Sequence, residues 1–354
     1  MPPPPELMDD VIAETLLRLP PDEPEHLFRA ALVCKPWLRT LCDPAFLRRY
    51  RAFHGSPPLL GLLHQFQALD ARHGRVLLTS PPDGAAGFLV WDPVTGGRHG
   101  LPWPPQPDIM SSLHSATVIC AAAAGCDHLD CHGGGAFRVV LVGSDFGSNT
   151  IWASVYSSET RSWSTPTSLH RGHNDHGFYT SPTRAILIGE EIFCRAAWDS
   201  VVKYDCVNNC LSLVNPRLPQ VYHGWSTPTL LLMDDGNTLG LAGIKDSSLC
   251  LWSRKVNSEK DAEWAQCRVI ELVKIIPGAD EILTYARVIG FAEGVGVISL
   301  NTNLGLFTIE LKSGRATKVA GAWVYHSVLP YLSFYTPDRG RLSSLARALV
   351  DGMA

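Results

Sequence analysis

Charge is scarce in this sequence and balanced in sign. Only 18% of the 354 residues are charged, below the ~25% usual in soluble domains. The 30 Lys and Arg against 34 Asp and Glu leave a formal net charge of −4, so the electrostatic footprint of a nucleic-acid binder is missing. With 45% apolar residues, the low-hydrophobicity, high-charge profile of a disordered chain is missing too. Long apolar runs are also lacking: the longest charge-free one, Ala116 to Cys126, is too short to span a bilayer. The opening MPPPPELMDD has neither a basic nor an apolar signal region, and a cytosolic or nuclear location is expected. The ten cysteines sit in apolar strings such as Leu249-Cys250-Leu251 and read as free, buried thiols rather than a disulfide framework. Glycine is absent before Gly55, yet the chain holds 30 glycines and 26 prolines. So much turn punctuation excludes a helical bundle for the whole chain.

The glycine-free segment is what remains for helices. Val11, Ile12, Leu16 and Leu19 recur at helical spacing behind Asp9 and Asp10, and Pro20-Pro21 end the run. Asp22 and Glu25 have capping-box spacing before a helix carrying Leu27, Ala30, Ala31, Val33 and Cys34. Trp37, Leu38 and Leu41 continue the apolar surface, and Asp43-Pro44 starts a last helix with Phe46, Leu47, Tyr50 and Phe53 on one side. Charge is polarised: seven acids and Arg18 up to residue 25, then six bases and Asp43 from 26 to 51. Helices in about 45 residues bury little surface alone. A partner-binding module and a plain N-terminal cap are both open on these grounds.

The segment Leu7-Met8-Asp9-Asp10-Val11-Ile12-Ala13-Glu14-Thr15-Leu16-Leu17-Arg18-Leu19-Pro20 resembles the opening of an F-box. Leu32-Val33-Cys34-Lys35-Pro36-Trp37 resembles that family's Val-Cys-Lys-x-Trp signature, and Asp43 to Tyr50 is similar to the extension usual in plant F-box proteins. The resemblance implies docking on a Skp-type adaptor, and through it on a cullin-based ubiquitin ligase. The adaptor-binding positions it implies are Leu7, Val11, Leu16, Leu19, Pro20, Val33, Cys34 and Trp37. Met8 stands where the family usually has proline, and Thr15 where it usually has a large aliphatic residue.

Residues 56–337 have the opposite texture, short β-type runs separated by Gly, Asp, Ser and Pro. Aligning Trp91, Tyr156, Tyr204, Trp252 and Ile309 relates five units of this kind. A period near ~40–50 residues is the mark of propeller blades. The expected fold is α+β and multidomain, with a helical module over 6–54, an all-β propeller-like domain of about six blades over 56–337, and a tail over 338–354. Gly100 to Gly135 reads as a loop-rich insertion, and Leu59 to Leu63 with Val328 to Tyr335 as candidates for a closing blade. A β-sandwich is the structural rival. Gly290 to Val297 and Ser333 to Pro337 resemble the C-terminal associated domain of grass F-box proteins, similar in layout to kelch-type propellers. That resemblance implies recruitment of a protein target for ubiquitination.

Chemical signals are few. Cys120, Cys126, His128, Asp130, Cys131 and His132 are of metal-ligand type but lack a paired knuckle at standard spacing. His173-Asn174-Asp175-His176 has no serine elbow or zincin pattern to work with. The tryptophans read mostly as core, and Leu342, Leu345, Ala346 and Leu349 as a short tail helix or a frayed end. The expectation is a non-enzymatic substrate receptor without cofactor or metal, partnered by the adaptor, the cullin and a protein target, with no nucleic-acid or membrane partner. The alternative is a propeller that binds carbohydrate or a small molecule, capped by helices and without a ligase role. A propeller hydrolase is disfavoured because no nucleophile and base pair up.

Overall fold

A computed structural model describes residues 8–337 except 64–67, 81–86, 106–111, 122–127, 129–130, 132–134, 146–148, 171–181, 196–200, 215–227, 234–235, 257–261, 279–282, 284, 324 and 326. The expected tail helix, His173 to His176 and Leu7 lie outside the described residues. Two compact units form, one of residues 1–60 with 332–354 and one of residues 61–331.

The first unit holds α1 (Asp9–Leu17), α2 (Glu25–Ala31), α3 (Lys35–Leu41) and α4 (Pro44–His54). Asp9 and Asp10 lie in the first turn of α1, where the helix dipole favours negative charge. The expected capping box does not form: Pro24 occupies the N-cap of α2 and no side chain caps it. Asp43 does cap α4, its carboxylate accepting from the Ala45 amide at 3.2 Å. Ile12, Leu16, Leu17, Leu27, Leu41 and Phe46 make the core. Carbonyls at the end of α1, left without helical partners, are taken up by α4: Tyr50 donates to Leu19 at 2.7 Å and His54 to Leu17 at 3.0 Å. Ser333 to Pro337, expected in the β domain, belong to this unit instead. Tyr335 lies 5.3 Å from Phe28, and Phe334 meets Tyr50 edge-on at 6.2 Å. These aromatic surfaces need cover that four short helices cannot supply.

The second unit is propeller-like. Its sheets are β2–β5 (Ala68–Arg72, Arg75–Thr79, Phe88–Trp91, Arg98–Leu101), β6–β10 (Leu113–Cys120, Phe137–Asp145, Thr150–Ser157, Ser162–Trp163, Thr167–His170) and β11–β14 (Ile186–Ile188, Glu191–Arg195, Val201–Asp205, Cys210–Val214). They continue with β15–β18 (Thr229–Leu232, Leu239–Lys245, Ser248–Val256, Ala262–Glu271) and β19–β22 (Ala286–Ala292, Val297–Thr302, Gly305–Glu310, Ala316–Ala320). Each is antiparallel in chain order, with β9 and β10 both pairing β8. A one-turn helix, α5 (Leu272–Ile275), follows β18.

Five such blades form among the described residues, not about six. A sixth blade was expected from dividing the length by a uniform period; of its candidate residues, β1 (Leu59–Leu63) and β23 (Leu329–Leu332) pair as a two-stranded sheet among the described residues. Long connections between sheets use up the remaining residues. The presumed loop-rich insertion at Gly100 to Gly135 contains β6, an almost wholly buried first strand.

Trp91, Tyr156, Tyr204, Trp252 and Ile309 all fall on the third strand of their blades. Each sits opposite an aliphatic residue on the second strand: Val76, Val139, Ile192, Leu241 and Ile298. Two-residue hairpins join β2 to β3 at His73-Gly74 and β16 to β17 at Asp246-Ser247, both residues at positive φ, as the twist of such turns demands.

Candidate functional site

Two places carry chemistry, one in each unit. In the helical unit, the core accounts for the buried face, yet large apolar side chains remain in solvent. Met8 is 71% exposed, Val11 46%, Leu32 77% and Val33 63%. They sit at the start of α1 and in the short bend between α2 and α3. Of the positions implied by resemblance, Val11, Val33 and Cys34 are exposed, while Leu19, Pro20 and Trp37 are half-buried. Leu16 is fully buried, so it supports the surface rather than forming it. Leu32 joins the exposed set although no site role was read for it; its place beside Val33 was the available signal. Thr15 turns its hydroxyl onto the Val11 carbonyl at 2.8 Å and adds no apolar area.

Part of the charge polarity is used within the unit. Glu14 pairs with Arg49 and, at 3.6 Å, with Arg18, and Glu25 pairs with Arg29 at 3.2 Å. Lys35, Arg39 and Arg48 stay exposed outside these pairs. Burial, and then Asp22, push the Tyr50 hydroxyl far above its ordinary pKa, so it remains a donor.

In the β unit, the first strands of the blades meet around a buried charged network. Asp70 on β2 is fully buried. Its carboxylate accepts from the Ala71 amide at 2.9 Å, from Val118 on β6 at 3.0 Å and from Arg184 Nε at 3.2 Å. Arg72 Nη1 donates to Glu293 at 2.9 Å and Nη2 to the Ala185 carbonyl at 2.7 Å. Arg184 also donates to the Phe291 carbonyl at 3.0 Å. Burial alone would lower the Arg72 pKa, but Glu293 and Asp70 more than offset it and raise it. Four blades are thus tied by charge-assisted bonds, roughly twice as strong as neutral ones. The sequence reading missed this network, because Asp70 and Arg72 in a short strand look solvent-facing.

Beside it lies a partly open cleft of about 860 Å³, its mouth included. Arg184, Arg195 and Arg287 line it with Thr183, Thr229 and Ser327, among apolar side chains from β2, β11, β15 and β19. Gly290 forms part of the wall: a Cβ there would run into the Val328 carbonyl oxygen, which leaves only glycine room for this close approach.

The cysteine-histidine cluster is gathered differently from its spacing. His73, from the β2–β3 turn, joins His128 and Cys131, with ligand atoms within 4.8 Å of one another. Cys126, Asp130 and His132 lie outside the described residues. The His73 and His128 rings stack at 15° with centroids 4.6 Å apart, whereas ligation needs a metal lying in both ring planes. Burial first, then Arg72, His128, Arg75 and Arg184, lower the His73 pKa to about 3, and the same positive field opposes a divalent cation. No disulfide joins the described cysteines, but Cys34, Cys210 and Cys267 are exposed rather than buried.

No helix among the described residues is long and apolar enough to cross a membrane. No protein-family model and no curated protein matches the chain. Among solved structures, two of the extracellular domain of BT4673 from B. thetaiotaomicron are similar, one described as a one component and one as a hybrid two component system. They align over 75% and 73% of this chain at 12% identity, with TM-scores of 0.36 and 0.35. The chain covers 30% and 28% of those chains, less than a third of their length.

Proposed function

We propose that the chain is a substrate-receptor subunit of a Skp–cullin–F-box ubiquitin ligase, resembling plant F-box proteins. The helical unit docks the Skp-type adaptor, and the propeller-like unit recruits a protein target. The observation that carries this reading is the exposed apolar set Val11, Leu32 and Val33 on a helical unit whose core is already filled. Apolar surface left in water marks an interaction site. The exposed bases Lys35, Arg39 and Arg48 suit an acidic stretch of such an adaptor. The chain performs no chemistry in this reading; it raises the effective concentration of target beside the ubiquitin carrier.

The test is co-expression of the full chain with a Skp-type adaptor, under conditions in which an established F-box protein is captured. A stable complex is expected. Val33→Asp should weaken it about ten- to hundredfold, the effect of losing a hot spot of roughly 1–3 kcal/mol, with the β unit unchanged by circular dichroism. Leu16→Asp is a poor probe, since it places a charge in the core. No association by the wild-type chain overturns the reading and leaves the helices as a cap on a ligand-binding propeller.

A further inference from the structure

We infer that the cleft at the meeting of the first strands binds a carboxylate carried on an apolar body. This stands on the β unit alone and does not depend on adaptor docking.

The lining sets the ligand class. Three arginines and no acidic residue or lysine border the cleft among the described residues. Asp70 and Glu293 answer two buried guanidinium groups, those of Arg72 and Arg184. Arg287, which no described carboxylate answers, therefore adds positive charge beyond that network. Arg195 Nη1 donates to the Pro228 carbonyl at 2.5 Å. Arg287 is half-buried on β19, and its guanidinium forms no hydrogen bond or ion pair among the described residues. Its Nε is shielded from solvent without a partner. A buried donor left in this state costs free energy that an arriving acceptor recovers.

The rest of the lining sets the ligand's body. Leu69, Ile186, Leu230, Val288 and Phe291 also line the space, so a dianionic phosphate would lose more hydration there than a monoanionic carboxylate. A carboxylate presents two oxygens to the planar guanidinium fork and can sit on an apolar stem. Thr183 and Ser327 at the same wall offer hydroxyl groups for a second contact. The carboxylate belongs either to a free organic acid or to an acidic side chain of a peptide.

The experiment uses the full chain and calorimetric titration with three probes: 4-phenylbutyrate, its neutral amide, and the capped dipeptide acetyl-Leu-Glu-amide. Wild type is expected to bind at least one carboxylate probe tenfold or more tightly than the neutral amide. Preference for phenylbutyrate points to a free acid and preference for the dipeptide to a peptide side chain. In Arg287→Gln the carboxylate advantage should fall to within about twofold of the amide. The comparison of acid with amide in wild type needs no variant, so a misfolded Arg287→Gln does not spoil the test. Equal binding of acid and amide, or no binding of any probe at millimolar concentration, overturns the inference.

Discussion

His73 shows how much one residue can reveal of its surroundings. Its φ of 53° and that of Gly74 at 73° make the β2–β3 turn, and the turn presses the imidazole into the protein. There Nδ1 accepts from the Cys120 amide at 3.3 Å, a bond that only the unprotonated nitrogen can make. The unfolded chain takes up a proton near pH 6.5, the folded chain only near pH 3. The stability held by neutral His73 is therefore complete above pH 6.5 and lost as pH falls below it. The slope is at most about 1.4 kcal/mol per pH unit. His73→Asn keeps a residue tolerant of positive φ and removes the titration. Its urea midpoint should fall less steeply than that of wild type between about pH 6.5 and 4.5, above the range where most carboxylates titrate. Equal slopes would show that His73 is reached by water.

At the scale of elements, the charged network decides where β2 lies against β6 and the segment before β11. Asp70→Asn keeps the shape but leaves Arg72 and Arg184 with one carboxylate between them. Breaking one partner of a buried ion pair costs about 3–5 kcal/mol, and the chemical-denaturation midpoint should drop accordingly; an unchanged midpoint would mean the pairing is dispensable. The same strands explain what could be read in advance. Third strands were legible because an aromatic or aliphatic residue and a following turn recur locally, from Trp91 to Ile309. First strands were legible only in part: β11 and β19 stand out as short aliphatic runs, whereas β2, β6 and β15 were missed. β2 carries charges whose partners lie more than a hundred residues away, and β6 was hidden in a stretch rich in glycine. Outer strands such as β22, with the sequence ATKVA and mostly exposed, barely differ in pattern from loops. Exposure at the proposed docking positions was not legible: Val11 and Val33 are exposed and Leu16 is buried, and nothing local in the sequence distinguishes them.

At the scale of the whole molecule, the last described residues belong with the first. Phe334 is 3% exposed and packs on Tyr50, so the helical unit is finished by the far end of the chain. Phe334→Ala should cost that unit about 3–5 kcal/mol. Hydrogen exchange would read this as lost protection in α1 and α4 with amides of β7 and β17 unaffected. Uniform loss across both units would show that they unfold as one. The glycine-free helical segment followed by β-type runs suggested two domains one after the other. Sequence order alone does not give the actual division, because the aromatic pair Phe334 and Tyr335 looks like any other strand end.

The pairing of β1 with β23 has a consequence in time. Roughly 270 residues separate the two strands, so at ~5–20 residues per second β1 waits about 15–50 s on the ribosome for its one sheet partner among the described residues. Throughout that interval its Leu59-Leu60-Gly61-Leu62-Leu63 edge is an apolar strand without a neighbour. Synthesis rate, and the chaperones that meet the emerging chain, thereby become determinants of how much of this protein reaches its folded state.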